Sequence, residues 1–236
     1  MAALGHTETL KAFLMSLSTN LKWVLPAAMA LMFSSCASIE KHAEQKRNAE
    51  ERAAALAAHQ AWRAEKGWKA NTYRNDPLLA TATSDNISIQ ISLSEQRGLL
   101  LVNECIALDF PVATGKPSHP TPTGEFHVRG KEKDYSSNLY GKIVDATGTV
   151  VLENADRTVD TPAEGTTFEG ARMPYWMRLT DTGVGMHIGY VPGRPASHGC
   201  IRLRHDTAVR LFNLVKIGTP VLIAEEAPAL KEPPAR

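Results

Sequence analysis

Four aliphatic side chains, Ile87, Ile89, Ile91 and Leu93, alternate with Ser88, Gln90, Ser92 and Ser94. A period of two puts one set on each face of an extended chain, the pattern of a half-buried strand and one that no helix can use. The segments "GLLLV" (98–102) and "IALDFPV" (106–112) are apolar runs of strand length, joined through "NEC" in a short hairpin with Asn in the turn. Cys105 then starts a strand, where a thiol is buried packing by default. "GTVVLE" (148–153), "YWMRL" (175–179), "GMHIGYV" (185–191) and "PVLIAE" (220–225) add further strands. One amphipathic helix, "HDTAVRLFNLVKIG" (205–218), is closed by Gly218. Many short strands with one principal C-terminal α-helix predict a mainly β domain, a sandwich or barrel over residues 86–226. A chain of 236 residues has room for one such core and a tether besides.

The tether is legible upstream. In "LKWVLPAAMALMFSSC" (21–36), Lys22 precedes an apolar run from Trp23 to Phe33, followed by small residues and Cys36. That run is shorter than the roughly 20 residues a spanning helix needs and has the form of a secretory signal; Met15 would give it a more ordinary start. "FSSC" resembles a bacterial lipobox with Phe33 in the usual aliphatic place, making Cys36 the candidate lipidation site at the end of a signal region over 1–36. A plain signal peptide cut nearby is the other reading. Three cysteines also leave one disulfide and a free thiol open.

Residues 37–76 are rich in Ala, Glu, Lys, Arg and Gln, with no Pro and no Gly before Gly67. These are strong helix formers with too few large apolar residues for a core-facing stripe, so a solvated helical or flexible stalk is expected. The tail, 227–236, is expected to be disordered. With 26 basic residues against 25 acidic, charge lends no support to a nucleic-acid partner, and none is expected.

Chemistry concentrates in "PASHGCIRL" (195–203). A thiol attacks as thiolate, so a catalytic Cys needs a base or a positive neighbour. His187 lies 13 residues before Cys200, at the end of a predicted strand, and the Pro- and Gly-rich "YVPGRPAS" between them is long enough to fold back. Gly199 permits a positive φ, so the N–H groups around 198–200 can point at a developing oxyanion. Zinc held by His187, His198, Cys200 and His205 is the rival, but residues 198 and 200 flank a single Gly without the usual ligand gap, so no metal is expected. "ATGKPSHPTPTGEFHV" (113–128), with His119 and Gly124, is a rigid connector. Residues 129–170, polar and weakly patterned, are a lid or an excursion over the site.

His187 followed by Ser197-His198-Gly199-Cys200-Ile201-Arg202 resembles the signature of the L,D-transpeptidase catalytic domain family, and so do "VATGKPSHPTPTGEFHV", "MPYWMRLTDTGVGMHIGYVPGRPASHGCIRL" and "LFNLVKIGTPVLI". The similarity runs from Ile87 to Ala224. It implies that Cys200 attacks the carbonyl between the third residue of a peptidoglycan stem tetrapeptide and its terminal D-Ala, forming a thioester that an amine then takes over. His187 would be the base, its ring oriented by the Ile188 carbonyl. Ser197, His198 and Gly199 would support the turn or the oxyanion pocket. Arg202, sharing a face with Cys200, would lower the thiol pKa or hold a carboxylate, an internal ion pair being the duller role. Tyr175 and Trp176 would line the substrate groove. No cofactor is implied. The partners would be stem peptides and, through Cys36, the membrane, which places the protein in the bacterial periplasm as an anchored lipoprotein. Hydrolysis of the same thioester by water, and a non-catalytic wall-binding lipoprotein, are the alternatives.

Overall fold

The computed structural model describes residues 41–230; the signal segment, Cys36 and residues 231–236 lie outside the described residues. The chain divides into two compact units at Ala54/Ala55. Helix α1 occupies residues 41–63, and its first part, in the first unit, is exposed throughout. Lys46 and Glu50, one turn apart, pair there at 3.9 Å. Among the described residues no helix is long and apolar enough to cross a membrane.

The second unit contains β1 (Tyr73–Arg74), α2 (Asp76–Ala80), β2 (Ile87–Ser92), β3 (Arg97–Val102), β4 (Cys105–Ala113), β5 (Gly124–His127), β6 (Gly130–Asp145), β7 (Val150–Asp156), β8 (Thr166–Arg178), β9 (Gly185–Ile188), β10 (Ile201–Leu203), α3 (His205–Leu214) and β11 (Pro220–Ala224). The strands join in one sheet of order β5-β11-β2-β3-β4-β10-β9-β8-β6-β7, with β1 on β4. The mainly β class expected from the alternation is the class observed. The β3–β4 hairpin closes through Asn103 and Glu104, both at positive φ (47° and 68°), as a two-residue turn matched to strand twist requires.

β4 links the two halves. It pairs with β3 along its length and with β10 at Val112 and Ala113. One apolar core lies between the halves, drawing Ile89, Ile91, Phe110 and Val112 from the first, Met177, Met186, Ile201 and Leu203 from the second, and Ala208 and Leu211 from α3. The helix is shorter than the expected span over 205–218. Val215 turns extended (φ −75°, ψ 148°) and is buried, so the chain leaves α3 to fill the core, and Gly218 shapes the following turn rather than a cap.

The expected solvated stalk needs correction from Ala55 onward. Every residue of β3 is buried, because a second apolar cluster of Leu99, Leu101, Ile106, Tyr73 and Ala227 covers the face opposite the core, with Leu56 and Trp62 of α1 packed on it. Beside it a charged cluster is sealed in. Asp109 Oδ2 accepts from His59 Nε2 (2.8 Å) and Arg63 Nε (2.9 Å), and Oδ1 from Arg97 Nε (2.6 Å). The other Arg97 nitrogens donate to the carbonyls of Lys69 and Asn71. This anchor is made of aromatic and charged residues, so apolar periodicity gave no sign of it. Over 227–230 the tail expectation is corrected too: Ala227 is fully buried and the Ala229 N–H donates to Gln90 Oε1 (2.9 Å). Cys105 is half-buried rather than a fully buried core thiol.

Candidate active site

Residues 129–170 are not an irregular lid. β6 and β8 pair as long antiparallel strands whose register shifts between Ser136 and Gly141, and that irregularity curls the ribbon beside β9 and β10. Tyr140 and Arg172 of the ribbon, Asn154 of β7, His187 and Ile188 of β9, and the turn 197–200 line one cavity of about 720 Å³.

β9 and β10 run parallel with Met186 opposite Ile201 and His187 opposite Arg202. Side chains directly opposed in a ladder share a face, and Cys200, two residues before Arg202 on a locally extended chain, falls on that face. His187, Cys200 and Arg202 therefore meet in the same cavity. The His187 ring is 6 % exposed. Its Nδ1 donates to the Ile188 carbonyl (2.8 Å), which leaves Nε2 as the acceptor nitrogen. Burial, with a smaller contribution from the Arg202 charge and against the Ile188 bond, pushes this imidazole down to about 4. Burial also raises the Cys200 thiol, with the Gly185 backbone and the Arg202 guanidinium opposing. Both shifts favour the neutral forms near pH 7. Arg202 has no carboxylate partner among the described residues, so the ion-pair role is not the one it has here.

The turn carrying Cys200 is tied from both sides. Ser197 Oγ donates to the Cys200 carbonyl and accepts from the Gly199 N–H (3.1 Å). Gly199 sits at φ 107°, a conformation that a side chain would strain. The connector 113–123 grips the turn: Ser197 N–H donates to the Thr114 carbonyl, Lys116 N–H donates to the Ser197 carbonyl, and Thr121 Oγ1 accepts from Gly115 N while donating to the Gly199 carbonyl, both at 2.8 Å. Gly115 leaves room for none but itself, since an added Cβ would lie 2.1 Å from the His119 carbonyl oxygen. Thr121 was not singled out from sequence, because a Thr inside a Pro-rich loop looks like turn chemistry. Thr121→Val is expected to leave both backbone groups unsatisfied and cost about 1–3 kcal/mol, read as a fall in denaturant midpoint at constant slope.

Two expected groove residues stand elsewhere. Tyr175 packs edge-on against Phe212 of α3 (5.3 Å between ring centroids) and away from the cavity. Trp176 is buried, stacks on Tyr135 (5.0 Å) and leans on the His187 ring (5.9 Å), so it holds the imidazole rather than lining the groove. Tyr175 sits at φ 56° and has no partner in the β6–β8 register, so the strand is irregular where the two rings diverge. His205, at the start of α3, contacts Tyr175 and does not line the cavity with the other three ring or thiol donors. Tyr135, Tyr190 and Tyr140 do line it, and the one stacked on His198, at 4.7 Å and 23°, is Tyr140. Its segment is polar and Gly-rich, so nothing in the periodicity marked it.

Residues 86–223 match the YkuD family, the L,D-transpeptidase catalytic domain. The chain belongs to that family. Among curated proteins it is similar to L,D-transpeptidase 1 of Mycobacterium tuberculosis, 30% identical over 147 residues, covering 59% of this chain and 51% of that protein. It is also similar to a putative L,D-transpeptidase, YkuD, of Bacillus subtilis, 26% identical over 57% of this chain and 64% of that one. The chain thus spans about half the length of the first of these relatives. Among solved structures, the Mycobacterium tuberculosis L,D-transpeptidase 1 crystal structure aligns at 28% identity and TM-score 0.42, covering 58% of this chain and 60% of that one. Membership rests on the sequence match, which runs from β2 into β11 and takes in every residue that lines the cavity described above.

Proposed function

We propose that this protein is an L,D-transpeptidase of the bacterial cell envelope that acts on peptidoglycan stem tetrapeptides through a thioester on Cys200. The observation that carries it is the shared face of His187 on β9, Arg202 on β10 and Cys200 in the turn just before β10, with Nδ1 of His187 tied to the Ile188 carbonyl so that Nε2 is free to take a proton. In the first half-reaction Cys200 Sγ attacks the carbonyl that precedes D-Ala and its proton passes to His187 Nε2. The C–N bond then breaks, the same proton goes to the departing amine, and D-Ala leaves. In the second, an incoming amine attacks the thioester, gives its proton to His187, and the thiol is restored. Because the Gly199 N–H is bonded to Ser197, the oxyanion donors in this reading are the N–H groups of His198 and Cys200. Export through the segment 1–36, lipidation at Cys36 and membrane anchoring belong to this proposal.

Incubation of the full chain with a disaccharide tetrapeptide, followed by mass spectrometry, tests it. Released D-Ala with a cross-linked dimer supports transfer, released D-Ala with the tripeptide alone supports hydrolysis, and neither product from folded protein overturns the thioester reading. The pH profile is a second check. A base active in its neutral form loses activity as pH falls through its own pKa, so the acid limb of kcat/KM is expected near the value of about 4 set by burial of His187, not near 6.5. An acid limb at 6–7 would assign the base to another group.

A further inference from the structure

His198 stands where it touches the cavity with one side and the connector with the other. Lys116 Nζ lies 3.0 Å from its Nε2. An ammonium only donates, so Nε2 must be the unprotonated nitrogen and the ring proton must sit on Nδ1. Nδ1 has no protein partner among the described residues, yet no buried side-chain nitrogen is left unsatisfied, so Nδ1 is open to the cavity that His198 lines. The plane of the ring is fixed by Tyr140 stacked on it and by His119 edge-on at 4.7 Å.

We propose that Lys116 is a positioning residue: by donating to Nε2 it fixes His198 as the neutral Nδ1–H tautomer and aims that N–H into the cavity as a donor to an oxygen of the acyl group on Cys200. The acceptor part of this inference rests on the function proposed above; the tautomer part does not. The groups facing His198 are Lys116 and His119 of the connector, Tyr140 of β6, Asp156 of β7, and Cys200 and Arg202 of the turn and β10. Burial, then the Lys116, His119 and Arg202 charges, lower the His198 pKa against the opposing Asp156. Keeping this ring uncharged serves the mechanism, because an imidazolium beside Cys200 would offer its own proton to the thiolate that His187 has to generate.

The experiment is long-range ¹H–¹⁵N NMR of the His198 ring in the full chain, assigned with His198→Gln, for the unaltered protein, Lys116→Met and Lys116→Arg. The Nδ1–H pattern is expected in the unaltered protein and in Lys116→Arg. In Lys116→Met the Nε2–H pattern should dominate and the ring should titrate at higher pH. Indistinguishable tautomers and titrations in the unaltered protein and Lys116→Met would overturn the proposal whatever the activity. The rate of Cys200 acylation by a thioester or β-lactam is then expected to fall about tenfold in Lys116→Met and to recover in Lys116→Arg. An altered tautomer with an unchanged rate would overturn the donor role alone, and absence of acylation in the unaltered protein would sink the functional reading while leaving the tautomer result standing.

Discussion

Cys200→Ala is expected to lower kcat/KM for D-Ala release by about 10⁴–10⁶-fold, the scale on which removal of a nucleophile acts when the remaining machinery cannot substitute for it. Folding should be little affected. The Cys200 side chain is half-buried at the cavity wall, and the bonds that hold its turn use Ser197 Oγ, Thr121 Oγ1 and backbone groups; the substitution removes only the weak donation of Sγ to the Gly183 carbonyl at 3.7 Å. A carbapenem is expected to add covalently to the unaltered protein and not to this variant, as intact mass would show. If the variant kept its rate, or if the adduct persisted, the nucleophile would have to be sought elsewhere. If the protein only bound the wall, the substitution would change neither binding nor phenotype, which separates that reading from the enzyme.

The second large effect concerns stability. Asp109→Ala is expected to destabilise the domain by about 3–5 kcal/mol, because it strips Arg97, 1 % exposed, of its carboxylate and leaves a guanidinium in the interior with two backbone carbonyls for company. For a domain of this size that corresponds to a drop in Tm of about 6–20 °C. Burial alone would raise the Asp109 carboxyl, but the His59 bond and the Arg97 and Arg63 charges outweigh it and hold the group below the usual carboxylate range. Its folded pKa is thus below its unfolded one, so the stability it contributes is present above the unfolded value and is lost as pH falls through the folded one. The same cluster explains why the family match from residue 86 does not delimit what folds: a chain beginning there lacks His59, Arg63, Trp62 and Tyr73, and would expose Leu99 and Leu101 together with the charges of Arg97 and Asp109. A fragment of 75–236 with the stability of the full chain would contradict this, measured by denaturant midpoint.

Local rules carried the sheet. The Ile87–Leu93 alternation and the Asn103–Glu104 turn are short-range statements, and β2, β3 and β4 stand close to where they put them. They failed where the deciding partner is distant in the chain. The helical residues 55–63 look solvated until a carboxylate at 109 reaches them, Tyr175 and Trp176 look like groove walls until α3 and Tyr135 claim them, and Tyr140 gains significance only when a register shift in β6 brings it over His198.

The sequence by itself determined the reactive types, a Cys after Gly199, a His upstream and an Arg two residues on, and put Cys200 and Arg202 on one face of a locally extended chain; only the β9–β10 register brought His187 to that face. Tertiary structure alone decided their state. Burial favours the neutral forms of His187 and Cys200, and the connector's Lys116 and Thr121 fix the turn. Desolvation and long-range hydrogen bonds depend on what surrounds a group in space, and no periodicity in the chain encodes that.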